Sequence, residues 1–287
     1  MMMRRPVTPS ILLLLIVALA ACAPLFGVAQ APAQPGAAYR ILVANDDGVR
    51  APGILAVAQA LKALGEVTVI APAENQSGKG HSITISEPIF RDEVTLPGGI
   101  RAIGLTATPA STMKVALMKI VAPKPDLVVS GINRGYNLGL SSYLSGTVGA
   151  AREAAFQGIP AIAASLGMPA SDYTAAAEAV LRIARQIKEN SLPRGVFLNV
   201  NVPHGATKGV VVATQGMTPG GKEGFEERKH PNGRTYYWNV FEEGGSDAEG
   251  TDVWAVQQGY VAITPLKVLE YDAAAAANLK KLATVSR

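Results

Sequence analysis

The sequence predicts an α/β protein built on a mostly parallel sheet flanked by helices. Short aliphatic runs such as YRILVA, PDLVVS and IPAIAAS are apolar on both faces, as strands of a buried parallel sheet are. Segments with helical spacing separate them, and strands alternating with helices imply βαβ units with right-handed crossovers. The character of the chain changes twice, before Tyr39 and beyond Val210, and those changes set the boundaries of the fold.

The N-terminus reads as an address rather than as structure. MMMRRPVTPS carries Arg4 and Arg5, and ILLLLIVALAACA follows as one apolar block. A basic start, a short apolar core and small residues describe an export signal. Ile11 to Ala21 is shorter than the roughly 20 apolar residues a membrane span needs. The block ends in LAAC, which resembles the lipobox of bacterial lipoproteins and makes Cys22 the expected lipidation site. Ordinary cleavage near GVAQA is the plainer alternative. Residues 1–21 are thus expected to be a signal peptide and 22–38, rich in Ala, Pro and Gln, a flexible tether. The domain is expected over 39–287.

Composition excludes several classes. Cys22 is the only cysteine, so no intramolecular disulfide exists. Loss of residues 1–21 lowers the formal charge from +4 to +2, too weak to argue for duplex nucleic acid or a membrane surface. Membrane contact is therefore expected only through the lipid anchor.

From Tyr39 the elements follow in order. YRILVA is the first strand, and APGILAVAQALKALG a helix with Gly65 as its stop. EVTVIAP is a strand, PASTMKVALMKIVA a helix, PDLVVS a strand and SGTVGAAREAAFQG a helix. IPAIAAS, the helix DYTAAAEAVLRIARQIKEN and the strand GVFLNVNVP complete the repeating pattern. Beyond Val210 a Gly-rich stretch sets PNG between polar and aromatic runs, favouring a tight hairpin. This arm, about 217–247, has too little apolar surface to stand alone and is expected to pack on a second subunit. GYVAITPL reads as a last strand and DAAAAANLKKLA as a last helix.

Three loops follow predicted strands: NDDG, PAENQSGKGHS and SGINRGYN. Ligands of an open parallel sheet bind at the carboxyl ends of its strands, where strand order reverses. That brings Asp46, Asp47, Ser77 and Asn133 towards one place. Their donors are carboxylate, hydroxyl and amide oxygens, which suit Mg²⁺, Mn²⁺ or Ca²⁺. Zinc is disfavoured, because the three histidines, His81, His204 and His230, show no ligand spacing. A cation also explains two adjacent carboxylates, whose repulsion becomes coordination. An acidic pair before glycine is otherwise a common turn former.

Ser145, Gly146 and Thr147 lie where a helix should begin, and could hold a phosphoryl group; an ordinary Ser N-cap is the alternative. No Walker A loop is present. Lys79 and Arg134 are candidate phosphate contacts or solvated loop cations. His81 is a candidate acid or base, or a structural residue. Trp238, Trp254 and TYYW are expected to pack the arm.

ILVANDDG…APGI, APAENQSG, VVSGINRGYNLG, SGTVGAAREA, FLNVNVP and GTDVWAV…GYVAITPL together resemble the survival protein SurE family of metal-dependent 5'/3'-nucleotidases. The similarity runs from about Tyr39 to Thr264. It implies a Rossmann-like core, a swapped arm and C-terminal segment, and a homodimer or homotetramer. It implies hydrolysis of nucleoside monophosphates with one divalent cation, Mn²⁺ or Mg²⁺, per subunit. The family's metal ligands fall on Asp46, Asp47, Ser77 and Asn133, with Asp46 and Asp47 catalytic, and Asn75 matches a family position beside the serine. Where the family usually has GTPADC, this chain has ATPAST, with Ser111 and Thr112 in place of Asp and Cys. Family members are typically cytoplasmic, whereas the N-terminus here points to the cell envelope. An envelope solute-binding lipoprotein is the rival reading from another class, and a degenerate family member kept for assembly is a second.

Overall fold

The computed structural model describes residues 38–243 and 245–280. The expected export signal, Cys22 and nearly all of the tether lie outside the described residues, as does the chain beyond Lys280. Among the described residues no helix is long and apolar enough to cross a membrane.

In chain order the elements are β1 (Arg40–Ala44), α1 (Pro52–Leu61), β2 (Glu66–Pro72), β3 (Arg91–Leu96), β4 (Ile100–Leu105), α2 (Pro109–Val115), β5 (Leu127–Arg134) and α3 (Gly146–Phe156). Then come β6 (Ala161–Leu166), α4 (Thr174–Asn190), β7 (Val196–Val202), β8 (Val210–Val212), β9 (Gly221–Lys229), β10 (Thr235–Glu243), α5 (Asp252–Gln257), β11 (Val261–Lys267) and α6 (Ala273–Leu279). Nine strands form one sheet in the order β3-β4-β2-β1-β5-β6-β7-β11-β8, while β9 and β10 pair separately. The run from β4 to β7 is parallel. β3 joins β4 antiparallel and β11 joins β7 antiparallel. This is the expected α/β architecture, a mostly parallel sheet with a hairpin arm.

Both sheet faces are covered, which is why the central strands read as unbroken aliphatic runs. Val43, Val69, Val129 and Ile162 pack with Ile54, Val57 and Leu61 of α1 and Val180 and Ala184 of α4. On the other face Leu42, Ile70, Val128 and Phe197 pack with Met113 of α2 and Val148, Ala151 and Ala154 of α3. The chain leaves β1 towards β2 on one side and returns at β5 on the other, so β1 and β5 flank the switch point.

Several elements depart from the sequence reading. α1 ends at Leu61, before Gly65. Gly65 is required instead by crowding: a Cβ there would sit 1.9 Å from the Tyr39 carbonyl oxygen. The helix after β4 is regular only to Val115 and continues as one π-type turn, Ala116–Ile120. β5 does not stop at Ser130 but runs on to Arg134 through a register shift between Ser130 and Asn133. Gly131 permits that shift, with φ +134° and a Cβ position only 2.3 Å from the Ala164 carbonyl oxygen. β3 and β4, an edge hairpin turning at Pro97–Gly99, were not anticipated, nor were β8 and α5. The turn of the β9–β10 arm is longer than the two-residue form: His230 N–H donates to the Arg234 carbonyl and Gly233 N–H to that of His230.

Candidate active site

The turn after β1 is built from its own side chains. Asn45, fully buried, donates its Nδ2 to the Gly48 carbonyl at 2.9 Å. Gly48 adopts φ +104° and passes so close to Glu74 that a Cβ would lie 3.2 Å from its carbonyl carbon. The loop after β2 is tied to the same turn, with Gln76 N–H donating to the Asp46 carbonyl at 2.7 Å. Within that loop Ser77 N–H donates to Asn75 Oδ1 at 2.8 Å, a side-chain-closed turn that presents the Ser77 hydroxyl. From β5, Arg134 N–H donates to Asp47 Oδ2 at 3.2 Å. Three loops thus meet at the switch point, as their order along the chain implies.

Asp46 is 3% exposed, and the start of α3 lies against it. Thr147 donates its hydroxyl to Asp46 Oδ1, and its backbone amide also bonds the carboxylate. A Cβ on Gly146 would come within 2.8 Å of Asp46 Cβ and 2.9 Å of Pro109 Cγ. Ser145 caps the helix, its Oγ accepting from Val148 N–H at 3.1 Å. The anion held at this helix start is therefore the carboxylate of Asp46 itself, the charge an N-terminus favours. In these bonds the Ser145 hydroxyl accepts and the Thr147 hydroxyl donates.

Asp47 faces a cavity of about 420 Å³ lined by Asp47, Asn75, Ser77, Arg134, Gly135, Tyr136, Met168 and Phe241. Asp46 and Asn133 are buried beside the cavity rather than on its wall. Asn133 gives its Nδ2 to the Gly135 carbonyl at 2.9 Å, which leaves Oδ1 as its acceptor. Lys79 does not reach the wall, whereas Arg134 does. His81 is held away from it, with Nε2 3.2 Å from Glu153 Oε2 and its ring stacked on Phe156.

The electrostatics match this crowding. Burial, together with the charge of Asp46, pushes the Asp47 carboxyl up to about 6, against the pull of the Arg134 N–H and guanidinium. Burial also raises Asp46, opposed by its bonds to Thr147. Two carboxylates are thus held side by side at a cost to their ionised forms, which a positive partner would relieve. Among the described residues no group of three or more His, Cys, Asp and Glu side chains is arranged to hold a metal ion. The donor set is two carboxylates, the Ser77 hydroxyl and the Asn133 amide oxygen, an all-oxygen set that fits a hard divalent cation.

Sequence reasoning did not assign Asn45, which braces the turn, nor Tyr136, Met168 and Phe241 on the cavity wall. Asn45 stands next to the acidic pair and invites the question of its partner. The other three lie on separate elements with no local pattern. Ser111 and Thr112 of ATPAST sit at the start of α2, beside the site. Ser111 Oγ accepts from Thr84 N–H at 2.7 Å, while Thr112 Oγ1 is buried without a partner.

A doubly covered parallel sheet with a carboxylate pair at its switch point defines an α/β protein whose ligand site is lined by oxygen donors. A family model described as Survival protein SurE matches residues 41–221. The chain belongs to the SurE family. It is 47% identical over 233 residues to 5'-nucleotidase SurE 1 of Thermus thermophilus, covering 80% of this chain and 92% of that protein. It is 44% identical to 5'-nucleotidase SurE of Geobacter sulfurreducens, covering 79% and 87%. The solved structure of the SurE protein from Aquifex aeolicus matches with a TM-score of 0.74 at 37% identity, over 85% of this chain and 99% of that one. The solute-binding reading is disfavoured, since the core strands share one sheet rather than two lobes.

Proposed function

We propose that this chain is a nucleotide phosphatase that hydrolyses nucleoside 5'- and 3'-monophosphates to nucleoside and phosphate. The observation that carries this reading is the carboxylate pair at the switch point, beside a cavity that also holds Ser77, Asn75 and Arg134. One divalent cation per subunit, Mn²⁺ or Mg²⁺, would be held by Asp46, Asp47, Ser77 and Asn133. When bound, such a cation neutralises phosphoryl oxygens and makes a water nucleophilic near neutral pH.

The protein's own groups do the rest. Thr147, Gly146 and Ser145 fix Asp46, and the Arg134 backbone fixes Asp47 Oδ2. Asp47 lines the cavity and is placed to take the proton of the attacking water. Arg134 offers its guanidinium, and Asn75 its Nδ2, to the phosphate oxygens. Asp47 serves the attacking water, and the leaving oxygen takes its proton from solvent.

Phosphate release from a panel of 5'- and 3'-nucleotides, with Mg²⁺, Mn²⁺ or chelator, tests the reading. Activity restored by either cation is expected, and full turnover in metal-free protein overturns the ligand assignment. Asp46→Asn and Asp47→Asn should each lower turnover at least 100-fold while circular dichroism stays native.

The exposed arm is proposed to pack on a second copy in a dimer or tetramer. Phe225, Tyr237 and Trp238 are 71%, 65% and 55% exposed in the single chain, which supports that reading. Light scattering on a 217–247 deletion should show a lower mass. The N-terminal address is proposed to place the protein in the cell envelope, lipidated at Cys22. Cys22→Ser should move it from the membrane fraction to the soluble one.

A further inference from the structure

We propose that Tyr136, Met168 and Phe241 form the seat of the substrate's nucleobase, and that the arm thereby sets specificity within its own chain. The inference rests on the phosphatase reading above and adds the part of the substrate recognised. The cavity wall divides by chemistry: Asp47, Asn75, Ser77 and Arg134 are polar or charged, whereas Tyr136, Met168 and Phe241 present two rings and a thioether. At about 420 Å³ the cavity falls in the roughly 300–1,000 Å³ range of small-molecule sites. A phosphate monoester with no further group would leave the apolar wall in water.

The wall is fixed from behind. The Tyr136 ring lies on Gly167, where a Cβ would come within 2.2 Å of Tyr136 Cζ. Phe241 stands on β10 and its ring covers Gly221, where a Cβ would meet Phe241 Cζ at 2.6 Å. Met168 and Phe241 are 40% and 46% exposed, an apolar surface that a flat ligand would cover. Asn75 is the one amide on the wall, and its Oδ1 already accepts from Ser77 N–H. Stacking without hydrogen-bond reading accepts every base and favours the larger purine face.

The test compares kcat/KM for a purine 5'-mononucleotide with that for ribose 5-phosphate, using the full chain with Mg²⁺ or Mn²⁺. The wild type should favour the nucleotide by tenfold or more. Phe241→Ala should cut that ratio about tenfold, mainly through KM, and Phe241→Tyr should keep it. Met168→Ala, which lies off the arm, should lower the ratio in the same sense. It decides the matter if Phe241→Ala changes the mass seen by light scattering or fails to fold. An unchanged ratio in Phe241→Ala of native mass, or in Met168→Ala, overturns the seat. Equal wild-type values for the two substrates also overturn it, while the phosphatase reading stands. Release of phosphate from neither substrate by the wild type overturns the phosphatase reading itself.

Discussion

The turn after β1 and the hairpin of β9 and β10 are built on opposite plans. Around Asp46 and Asp47 the main partners come from distant parts of the chain: Thr147 from α3, Gln76 from the loop after β2, Arg134 from β5. The packing there is so close that Gly131, against the Ala164 backbone, and Gly146, against the Asp46 and Pro109 side chains, leave no room for a Cβ. Along the hairpin the partners are local and exposed. Arg228 bonds Glu226 two residues away and stacks on Trp238, and Tyr237 bonds Glu227 across the pair. Phe225, Tyr237 and Trp238 face water. One region is fixed by its own chain; the other has the surface of an element that is finished by something else. Phe241 is where the two meet, since it belongs to the hairpin and lines the cavity.

Substitutions that add a single methyl group should separate the two regions most sharply. Gly131→Ala places a Cβ 2.3 Å from the Ala164 carbonyl oxygen at a positive φ. It should destabilise the fold by about 3 kcal/mol or more, measured by denaturant unfolding. A near-native midpoint would mean that the end of β5 yields easily, and the contrast with the arm would lose its basis.

Gly146→Ala comes next. Its methyl group would press on Asp46 Cβ and Pro109 Cγ, costing roughly 1–3 kcal/mol of stability. Activity should suffer more, because displacement of a catalytic group by about 1 Å can cost about 100-fold in rate. Loss of stability with turnover per folded molecule retained would show that Asp46 need not be held so tightly.

On the arm the expectation reverses. Phe225→Ala and Trp238→Ala remove large side chains that are 71% and 55% exposed. In dilute, monomeric protein each should change stability by no more than about 0.5 kcal/mol. If a second copy covers the hairpin, the same variants lower the melting temperature only at concentrations where the wild type associates. A large loss in the monomer would place the arm among the self-supporting parts.

This contrast also explains what the sequence made legible. The central strands could be read because burial on both faces leaves them aliphatic throughout, and their order along the chain placed the three loops together. β3, RDEVTL, buries only Val94 and Leu96 at the sheet edge, too short an alternation to stand out. β5 was read as ending at Ser130 because Gly131 is a loop signal by itself; what keeps it in the sheet is the Ala164 backbone, which no local pattern reveals. Ser145 to Thr147 read correctly as a helix start, but their partner, Asp46, is 101 residues from Thr147 in sequence. The acidic pair was visible, whereas the reason it can be buried was not.

A pH-dependent effect lies just behind the site, where Glu153 of α3 joins the loop after β2. Burial alone would raise its carboxyl, but the hydrogen bonds from His81 and Gln157, with the charges of Lys114 and His81, bring it below the ordinary glutamate range. A carboxylate lowered by folding contributes stability above its unfolded pKa of about 4.3 and loses it as pH falls further. Glu153→Gln should therefore cost roughly 1 kcal/mol near neutral pH. The difference from wild type should shrink as pH drops through 4 towards the folded value. His81→Gln should remove much of the same difference, since His81 carries the first of those bonds. A penalty that stays constant from pH 7 to pH 3 would mean that Glu153 acts through packing rather than through its charge. The loop carrying Ser77 would then owe its position to the bonds of Gln76 with Asp46, Gly80 with Leu144, Ser82 with Thr108 and Thr84 with Ser111.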